Sequence, residues 1–207
     1  FTNIGTVSLK PSTYNTGNFI NTIRRIGITS AATAGSSTQR APNMGIPCST
    51  KSGFYFCADT ISEDAATVAT AADFVGLGVN FASPFGNVEP STTTACILLA
   101  YDSTDTNMQI MHNDTTGTCT KIDLGVNFPA RTNATDLYRL ELYCATNGVE
   151  INYRVTRLNT GQQVSGTLTT NIPTSAAPLT LGFWRGNRGA ALAVTKSFSQ
   201  ITIATPY

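Results

Sequence analysis

The chain has 207 residues, of which 41% are hydrophobic and 12% charged, and its formal net charge is +1. The hydrophobic share suffices for a packed core and excludes a disordered chain, while the near-zero charge excludes the basic surface that nucleic acids and anionic membranes attract. No apolar run approaches the roughly 20 residues that span a bilayer, and no signal-peptide pattern is present. We therefore expect no nucleic-acid partner and no membrane insertion, and the low-charge, Thr- and Asn-rich composition suits an extracellular or virion surface.

The first half of the chain predicts short strands separated by loops of small residues. A short helix is expected at Ala65–Ala72, where alanine dominates and no β-branched pattern competes. In the predicted strand Phe74–Phe81, Gly76 and Gly78 suggest a bulge or the close approach of another backbone. The predicted strands are Thr6–Leu9, Asn18–Thr29, Gly53–Thr60 and Phe74–Phe81.

The second half begins with a long loop at Ala82–Thr94. The nearly continuous apolar run Cys96–Tyr101 then predicts a strand that is buried on both faces. Around a turn at Asn113–Gly117, a pair of strands is expected at Met108–His112 and Thr118–Leu124. Further strand candidates follow near the end of the sequence at Pro178–Arg185, Leu192–Val194 and Ser197–Ile203.

Between these elements, Asp136–Ile172 predicts three antiparallel strands. Leu137–Cys144 and Val149–Val155 alternate apolar and polar residues, so each strand has one buried face and one face in water. Asn147-Gly148 predicts a type I′ hairpin turn, because both residues tolerate positive φ. A second turn at Asn159–Gly161 leads to the third strand, Val164–Thr170.

About a dozen short strands without a useful helix predict an all-β fold, a two-sheet antiparallel β-sandwich of the jelly-roll, concanavalin-like type. No linker or fixed-period repeat divides the sequence, so a single domain over residues 1–207 is expected. Since the chain opens at Phe1, we expect a processed product or a piece of a longer polypeptide.

The five cysteines are an odd number, so they cannot all pair within one chain. Cys57, Cys96 and Cys144 lie in apolar runs, where cysteine acts as a small buried hydrophobe, and free thiols are expected. One bridge between Cys48 and Cys57 remains open.

Five segments carry a resemblance to a known family: Tyr101–Pro129, DLYRLELYCATNGVEINYRVTRLNTG (Asp136–Gly161), Val164–Pro173, GFWRGN (Gly182–Asn187) and SFSQITI (Ser197–Ile203). Together they resemble a β-sandwich module of tailed-bacteriophage virion proteins such as tail fibres, so that the expected longer polypeptide is a virion protein. They cover about the C-terminal half of the chain. Such modules are similar to the concanavalin/laminin-G-like sandwich, which is widely used for carbohydrate and surface binding. The resemblance implies a virion location, after assembly in the bacterial host cytoplasm, and adhesion or capsid-surface roles; a fold alone assigns no chemistry.

A glycan-hydrolysing site would need two carboxylates at close spacing. Glu141 and Glu150 could face each other across the Asn147-Gly148 hairpin, but the arginines on the same strands favour a surface charge network. The single histidine, His112, has no partner pattern for nucleophilic catalysis and is interpreted as a strand-end residue. We therefore expect no catalytic residues and no enzyme.

A polar cluster surrounds two successive turns. Its oxygen-bearing side chains predict a binding site at Asp102, Asp105 and Asn107. Asp102, Asp105 and Asp114 are also a weak candidate set for calcium, which prefers oxygen ligands on loops. Ordinary turn chemistry explains the same residues, so no cofactor is assigned.

The second candidate binding site is formed by Trp184, Arg185, Asn187 and Arg188. Because Leu179, Leu181 and Phe183 share the core face of their strand, Trp184 is expected on the other side. An exposed Trp beside Arg and Asn suits sugar stacking or a subunit contact. The alternative is that Trp184 covers one end of the sandwich under the Gly186–Gly189 loop.

Three functions compete on this basis. The first is a non-enzymatic tail-fibre or adhesin module that contacts a host-surface glycan. The second is a capsid decoration or cement protein that binds the phage head, and the third is a glycan depolymerase. The expected partners are other virion proteins, a homo-oligomer for which a trimer is plausible, and a host-surface glycan.

Overall fold

A computed structural model describes residues 2–12, 18–41, 49–79, 81, 85–174 and 178–205. In these ranges the chain forms fourteen strands and two short 3-10 helices, at Phe19–Thr22 and Pro90–Thr92. None of the described helices is long or apolar enough to cross a bilayer. The strands are β1 Thr2–Ile4, β2 Thr6–Lys10, β3 Arg25–Thr29, β4 Ser37–Ala41, β5 Phe54–Ser62, β6 Ala72–Gly78, β7 Cys96–Tyr101, β8 Gln109–Asn113, β9 Thr120–Asp123, β10 Tyr138–Cys144, β11 Ile151–Arg157, β12 Gln162–Leu168, β13 Thr180–Gly186 and β14 Thr195–Ala204.

The strands form two seven-stranded antiparallel sheets. Sheet I has the order β1-β4-β13-β6-β7-β8-β9, and sheet II has the order β12-β11-β10-β5-β14-β3-β2. The predicted three-strand meander is the β10–β11–β12 end of sheet II. The predicted all-β, two-sheet antiparallel sandwich with little helix is confirmed.

The main core lies between the two sheets and follows the alternation of the sequence. In β10, Tyr138, Leu140, Leu142 and Cys144 are buried, whereas Tyr143 on the other side is 53% exposed. Sheet I contributes inward side chains such as Leu99 and Phe183. One face of sheet II therefore covers the core, and its other face points outward.

A second apolar layer covers the outer face of sheet I. Phe74, Leu98 and Trp184 on that face pack against Phe81 and Phe85. We call Phe81 and residues 85–95 the covering segment. Because this segment lies over sheet I, Cys96–Tyr101 is buried on both faces, as predicted.

Glycines allow this layer to form. A Cβ at Gly76 would lie 2.2 Å from the Ile97 carbonyl oxygen, and a Cβ at Gly182 would lie 2.7 Å from the Phe81 ring. Gly78 likewise leaves room for Phe81. The predicted close approach of another backbone is confirmed at Gly76, whereas at Gly78 the close neighbour is the Phe81 side chain.

The predicted helix at Ala65–Ala72 is wrong. Val68 and Ala71 are fully buried against Val194, a hydrogen bond from Ala71 N to Val68 O closes a turn, and Ala72 already begins β6. A run of eight residues is too short to be a stable helix without supporting contacts, so tertiary packing decides its conformation.

The predicted strand Asn18–Thr29 is shorter than expected. The Asn18 side chain accepts a hydrogen bond from Ile20 N and caps the first 3-10 helix, so β3 begins at Arg25. At Leu192–Val194 no strand forms, and the final strand begins at Thr195.

The first turn of the meander also differs from its prediction. Six residues, 145–150, join β10 to β11, and Gly148 N donates to Ala145 O. Asn147 has a φ of 55°, but Gly148 is not in the positive-φ region, so the turn is not type I′. The second turn holds Gly161 at a φ of 75°, as a tight turn at Asn159–Gly161 requires.

The described cysteines are buried free thiols, as predicted. They are Cys57, Cys96, Cys119 and Cys144. The sulfur atoms of Cys96 and Cys119 lie 3.6 Å apart beneath the covering segment. Cys48, the other candidate for a bridge to Cys57, lies outside the described residues.

Candidate functional site

Trp184 is not exposed. Its ring stacks on Phe74 with centroids 5.7 Å apart and meets the edge of Phe85 at 5.3 Å, while Nε1 donates to Gly86 O at 2.9 Å. The alternation of β13 correctly placed Trp184 on the side opposite the main core. The expectation of an exposed sugar platform is wrong, because the covering segment buries that side.

The neighbours of Trp184 are also engaged within the protein. Arg185 points into the sandwich and is 1% exposed, and the buried Asn187 amide donates to Thr33 O and Leu192 O. Arg188 pairs with Glu89 at 3.0 Å. The predicted group Trp184, Arg185, Asn187 and Arg188 is therefore divided between two buried layers and one partly exposed ion pair.

The polar turn residues do come together, around a lysine. Lys121 Nζ lies 3.1 Å from Asp102 Oδ2 and 2.5 Å from Asp105 Oδ2. Asn107 donates instead to Asp123, at 3.0 Å. Since the Lys121 ammonium group already binds both carboxylates, this cluster has the character of a surface ion-pair network.

The weak calcium set is not assembled. Asp114 accepts hydrogen bonds from Thr115 and Thr116 within its own turn, apart from the pair held by Lys121. Among the described residues, no group of three or more His, Cys, Asp or Glu side chains is placed to hold a metal ion.

The outward face of sheet II is different, because its centre carries polar and aromatic side chains with no layer above them. We call the outward side chains of β5, β10, β11, β12 and β14 the open face. Strand register arranges them in rows that cross the sheet. The first row is Ala204, Tyr55, Tyr143, Asn152 and Thr167; the second is Thr202, Cys57, Glu141, Arg154 and Ser165; the third is Asp59, Arg139, Thr156 and Gln163.

Two tyrosines form the centre of the open face. Tyr55 and Tyr143 are directly opposite each other on neighbouring strands. They separate two depressions, one of about 310 Å³ that includes Asn152 and Arg154, and one of about 440 Å³ that extends to Thr205. Both depressions are open to solvent, so a ligand there would be bound at the surface and not enclosed.

An ion pair lies beside the tyrosines and holds Tyr55 in place. Arg154 binds Glu141 through two hydrogen bonds of 2.7 Å, and Tyr55 donates to the same carboxylate at 3.0 Å. Burial and this hydrogen bond raise the pKa of Tyr55 to about 12. Tyr55 therefore stays a neutral hydroxyl at physiological pH.

The next row has a second bidentate pair. Arg139 donates to both oxygens of Asp59, at 2.7 and 3.0 Å, and also to the Gln200 side chain at 2.8 Å. At this end of the sheet the first 3-10 helix closes the face, because Ile20 packs on Ile61 and Leu137. The open face is thus bounded at one end.

The Glu141–Glu150 pairing is wrong, and the alternative charge network is confirmed. Strand register places Glu141 opposite Arg154, while Glu150 is exposed in the connection before β11. The hydrogen bonds of Arg154 lower the pKa of Glu141. His112 is near the end of β8, as predicted, where it is buried and its Nδ1 lies 3.0 Å from Asn171 O.

The open face combines an apolar ring with hydrogen-bonding groups, and its carboxylate is not poised as an acid. The Tyr143 ring supplies an apolar surface, while the amides, hydroxyls and guanidinium groups around it supply hydrogen bonds. A general acid would need a raised carboxyl pKa, whereas that of Glu141 is lowered. The sequence did carry a signal for this face, since alternation directs Arg139, Glu141 and Tyr143 outward, but it does not show which side chains of other strands lie beside them.

Comparisons with known proteins support the architecture. No protein-family model and no curated protein sequence matches this chain. Among solved structures, lectin UEA-II in complex with galactose matches with a TM-score of 0.60 and 12% identity, over 100% of this chain and 92% of the lectin. A seed lectin of Lotus tetragonolobus matches with a TM-score of 0.59 and 8% identity, over 98% of this chain and 94% of that one.

A family 7 alginate lyase in complex with its substrate matches less closely. Its TM-score is 0.51 at 9% identity, over 87% of this chain and 78% of the lyase. At these identities the likeness shows a shared fold: the chain has the lectin-like jelly-roll sandwich.

Proposed function

We propose that this protein binds carbohydrate through the open face of sheet II, as a non-enzymatic adhesin module of a tailed-phage virion. The observation that carries the binding function is the exposed Tyr143 beside Tyr55, in a cleft bordered by bidentate Arg–carboxylate pairs. The fold agrees with this proposal, since its structural neighbours include a lectin in complex with galactose and a lyase in complex with an alginate oligosaccharide.

The chemistry of the open face matches the two sides of a sugar ring. The C–H face of a pyranose packs on an aromatic ring, and its hydroxyl groups exchange hydrogen bonds with amides, carboxylates and guanidinium groups. Tyr143 is the exposed ring, and Asn152, Arg154 and Ser165 lie within the same cleft. The held rotamers of Arg154 and Glu141 reduce the entropy that binding would cost.

The charge balance favours a neutral ligand. Arg154 is paired with Glu141 and Arg139 with Asp59, so the open face carries both signs in equal number. A polyanion would have to compete with these carboxylates for the guanidinium groups. We therefore assign the ligand to neutral glycans.

The virion location is supported by the sequence resemblance to tailed-phage modules and by the low-charge composition. A tail fibre presents its modules to the host surface, where a glycan-binding face is useful. We propose a homo-oligomer, with a trimer as the first form to test, and other virion proteins as its structural partners.

Binding is tested on immobilised neutral and acidic glycans, followed by titration calorimetry on the best ligand. We expect Tyr143→Ala to weaken binding by about 1–1.5 kcal/mol, which is roughly tenfold, because the stacking surface is lost. Val88→Ala is the matched control, since Val88 is exposed on the covering segment of the opposite sheet. Wild-type affinity in Tyr143→Ala would move the site away from the open face.

Location and reactivity need separate measurements. Immunogold labelling of virions should mark the tail, and label on the head would replace the adhesin role with capsid decoration.

Incubation of the bound glycan with the protein should release no reducing or unsaturated ends. Release that disappears in Glu141→Gln would establish a depolymerase instead.

A further inference from the structure

The interior of the sandwich contains charged groups that the proposed function does not use. Asp64, Asp73, Arg185 and Lys196 lie between the two sheets, and their side chains are at most 3% exposed. We call these four residues the interior cluster. Buried charges are costly unless each is paired, and this cluster has two of each sign.

The cluster contains two pairs, Arg185–Asp64 and Lys196–Asp73, which are connected by a 3.0 Å contact between Arg185 Nη1 and Asp73 Oδ2. Arg185 donates to both oxygens of Asp64, with 2.9 Å between Nε and Oδ1, and Thr195 N also donates to Asp64 Oδ1 at 2.7 Å. The second pair is Lys196 with Asp73, in which Nζ contacts Oδ1. Asp73 belongs to β6 in sheet I and Lys196 to β14 in sheet II, so this pair bridges the two sheets.

We propose that Lys196 and Asp73 condense to an intramolecular isopeptide bond, which joins Nζ of Lys196 to Cγ of Asp73 and releases one molecule of water. The bond would link the two sheets covalently through the core.

The two oxygens of Asp73 are held in different ways, as this reaction requires. Oδ1 faces the Lys196 amine, while Oδ2 accepts hydrogen bonds from Ser62 Oγ at 2.8 Å and from Arg185 Nη1 at 3.0 Å. Two donors on Oδ2 polarise the carbonyl and stabilise the oxyanion that forms when nitrogen attacks carbon. Oδ1 is then the oxygen that leaves.

The atoms and protons balance within the pair. The ammonium group passes one proton to Oδ1, which gives a neutral amine and a neutral carboxylic acid. The nitrogen lone pair attacks Cγ, the bond from Cγ to Oδ1 breaks, and a second proton from nitrogen leaves with Oδ1 as water. One N–H remains in the amide, and no oxidant or other reactant is needed.

The buried environment favours the neutral form of the amine. Burial lowers the pKa of Lys196, although the charge of Asp73 opposes this effect. Within the described residues, Asp73 is also the hydrogen-bond partner of Lys196 Nζ, which has three protons to donate. Condensation removes one positive and one negative charge, and the Arg185–Asp64 pair that remains is balanced.

A small cavity adjoins the pair. It is lined by Asp73, Lys196, Tyr101 and Arg131, among others, and its volume of about 10 Å³ is close to that of one water molecule. The released water can therefore occupy a polar space beside the bond before it leaves. Exclusion of bulk water also protects the amide from hydrolysis.

A second lysine–aspartate contact provides a control within the same chain. Lys121 lies between Asp102 and Asp105, but its side chain is 30% exposed. Water solvates this ammonium group and keeps it charged, so we expect no amide there. Burial and the polarised Oδ2 distinguish the interior pair.

Mass spectrometry of the denatured full chain tests the proposal. We expect the wild-type mass to be lower than the sequence mass by one water molecule. Digestion with trypsin should give one branched peptide that contains Asp73 and Lys196, and fragmentation should place the link between them. This measurement on the wild type depends on no variant.

The variants separate the isopeptide bond from other dehydrations. Lys196→Arg keeps a cation beside Asp73 but cannot form the amide under these conditions, so its mass should equal that of its sequence. Lys121→Arg should still show the loss of one water. An undiminished wild-type mass would overturn the proposal, and so would a water loss that persists in Lys196→Arg or maps to another peptide.

Discussion

In both sheets the side chains alternate between the main core and an outer face. The outer face of sheet I is covered, whereas the outer face of sheet II is open to solvent. On sheet I the outward side chains include Phe74 and Trp184, and the covering segment buries them in a second core. On sheet II the outward side chains include Tyr143 and Arg154, which remain in contact with solvent. One sheet is thus a middle layer of the molecule, and the other has an outer face that is open to solvent.

The connections between strands account for this difference. β6 and β7 in sheet I are joined by a long segment, part of which folds back over the outer face as Phe81 and Phe85. β10, β11 and β12 in sheet II are joined by short connections, which cannot reach across the sheet. A face that is rich in apolar residues needs a cover, whereas a polar face does not.

The largest expected effect is the loss of the central ring beneath the covering segment. Trp184→Ala should lower the free energy of unfolding by about 3–5 kcal/mol, because it leaves a cavity between Phe74 and Phe85 and removes the hydrogen bond to Gly86. Urea denaturation measures this change. A loss below about 1 kcal/mol would mean that the covering segment is not packed on sheet I.

The next largest effect concerns the buried ion pair between Arg25 and Glu63, which lies beside the first 3-10 helix. Arg25 binds Glu63 and also donates to Ile20 O at 2.9 Å. Glu63→Gln should cost about 1.5–3 kcal/mol near neutral pH, which is typical of a hydrogen bond between charged groups. Urea denaturation at several pH values measures the difference.

The stability that the Arg25–Glu63 pair provides should depend on pH, and the direction of this dependence follows from the pKa of Glu63. Burial alone would raise the pKa of Glu63, but the hydrogen bond and charge of Arg25 outweigh this and lower it. A lowered folded-state pKa gives stability that is present above the unfolded value of about 4.3 and is lost as pH falls through the folded value. The difference between wild type and Glu63→Gln should therefore shrink below about pH 4.3, and a constant difference would contradict the assignment.

A smaller loss of stability is expected when one methyl group is added beneath the covering segment, and the same addition on the open face should cost less. Gly182→Ala should destabilise the protein by about 1–3 kcal/mol, because its Cβ would lie 2.7 Å from the Phe81 ring and 3.0 Å from the Phe74 ring. Ser165→Thr, which adds one methyl group at an exposed position of the open face, is the control, and it should stay within about 0.5 kcal/mol of wild type. Equal effects of the two changes would mean that the two faces do not differ in packing.

The sandwich could be predicted because alternation and turn residues are local properties of a sequence. β10 is the clearest example, since its alternating residues indicate both the buried face and the exposed face. The covering segment could not be predicted in this way, because its contacts with Trp184 join residues about a hundred positions apart. The error at Trp184 follows directly: period two indicates the side of a strand, but not whether a second layer covers that side.

The open face also depends on contacts between residues that are far apart in the sequence, so its composition could not be predicted from local patterns. The alternation of β10 puts Tyr143 on the outward side, but its position opposite Tyr55 depends on β10 pairing with β5, more than eighty residues earlier in the chain. The predicted sites were instead assigned to clusters that are close in sequence, Asp102–Asn107 and Trp184–Arg188. A binding face that is built across strands has no such local signature.

The smallest expected effect on stability should come with a large effect on binding. Tyr143→Ala removes a ring that is 53% exposed and has no layer above it, so the free energy of unfolding should change by no more than about 1 kcal/mol. Urea denaturation of the variant used in the binding titrations measures this.

A loss as large as that of Trp184→Ala would show that the ring supports sheet II, and the weaker glycan binding would then reflect unfolding. A stable variant with weakened binding would instead identify the ring as part of a recognition surface, because exposed aromatic side chains that add little to folding can still bind a ligand.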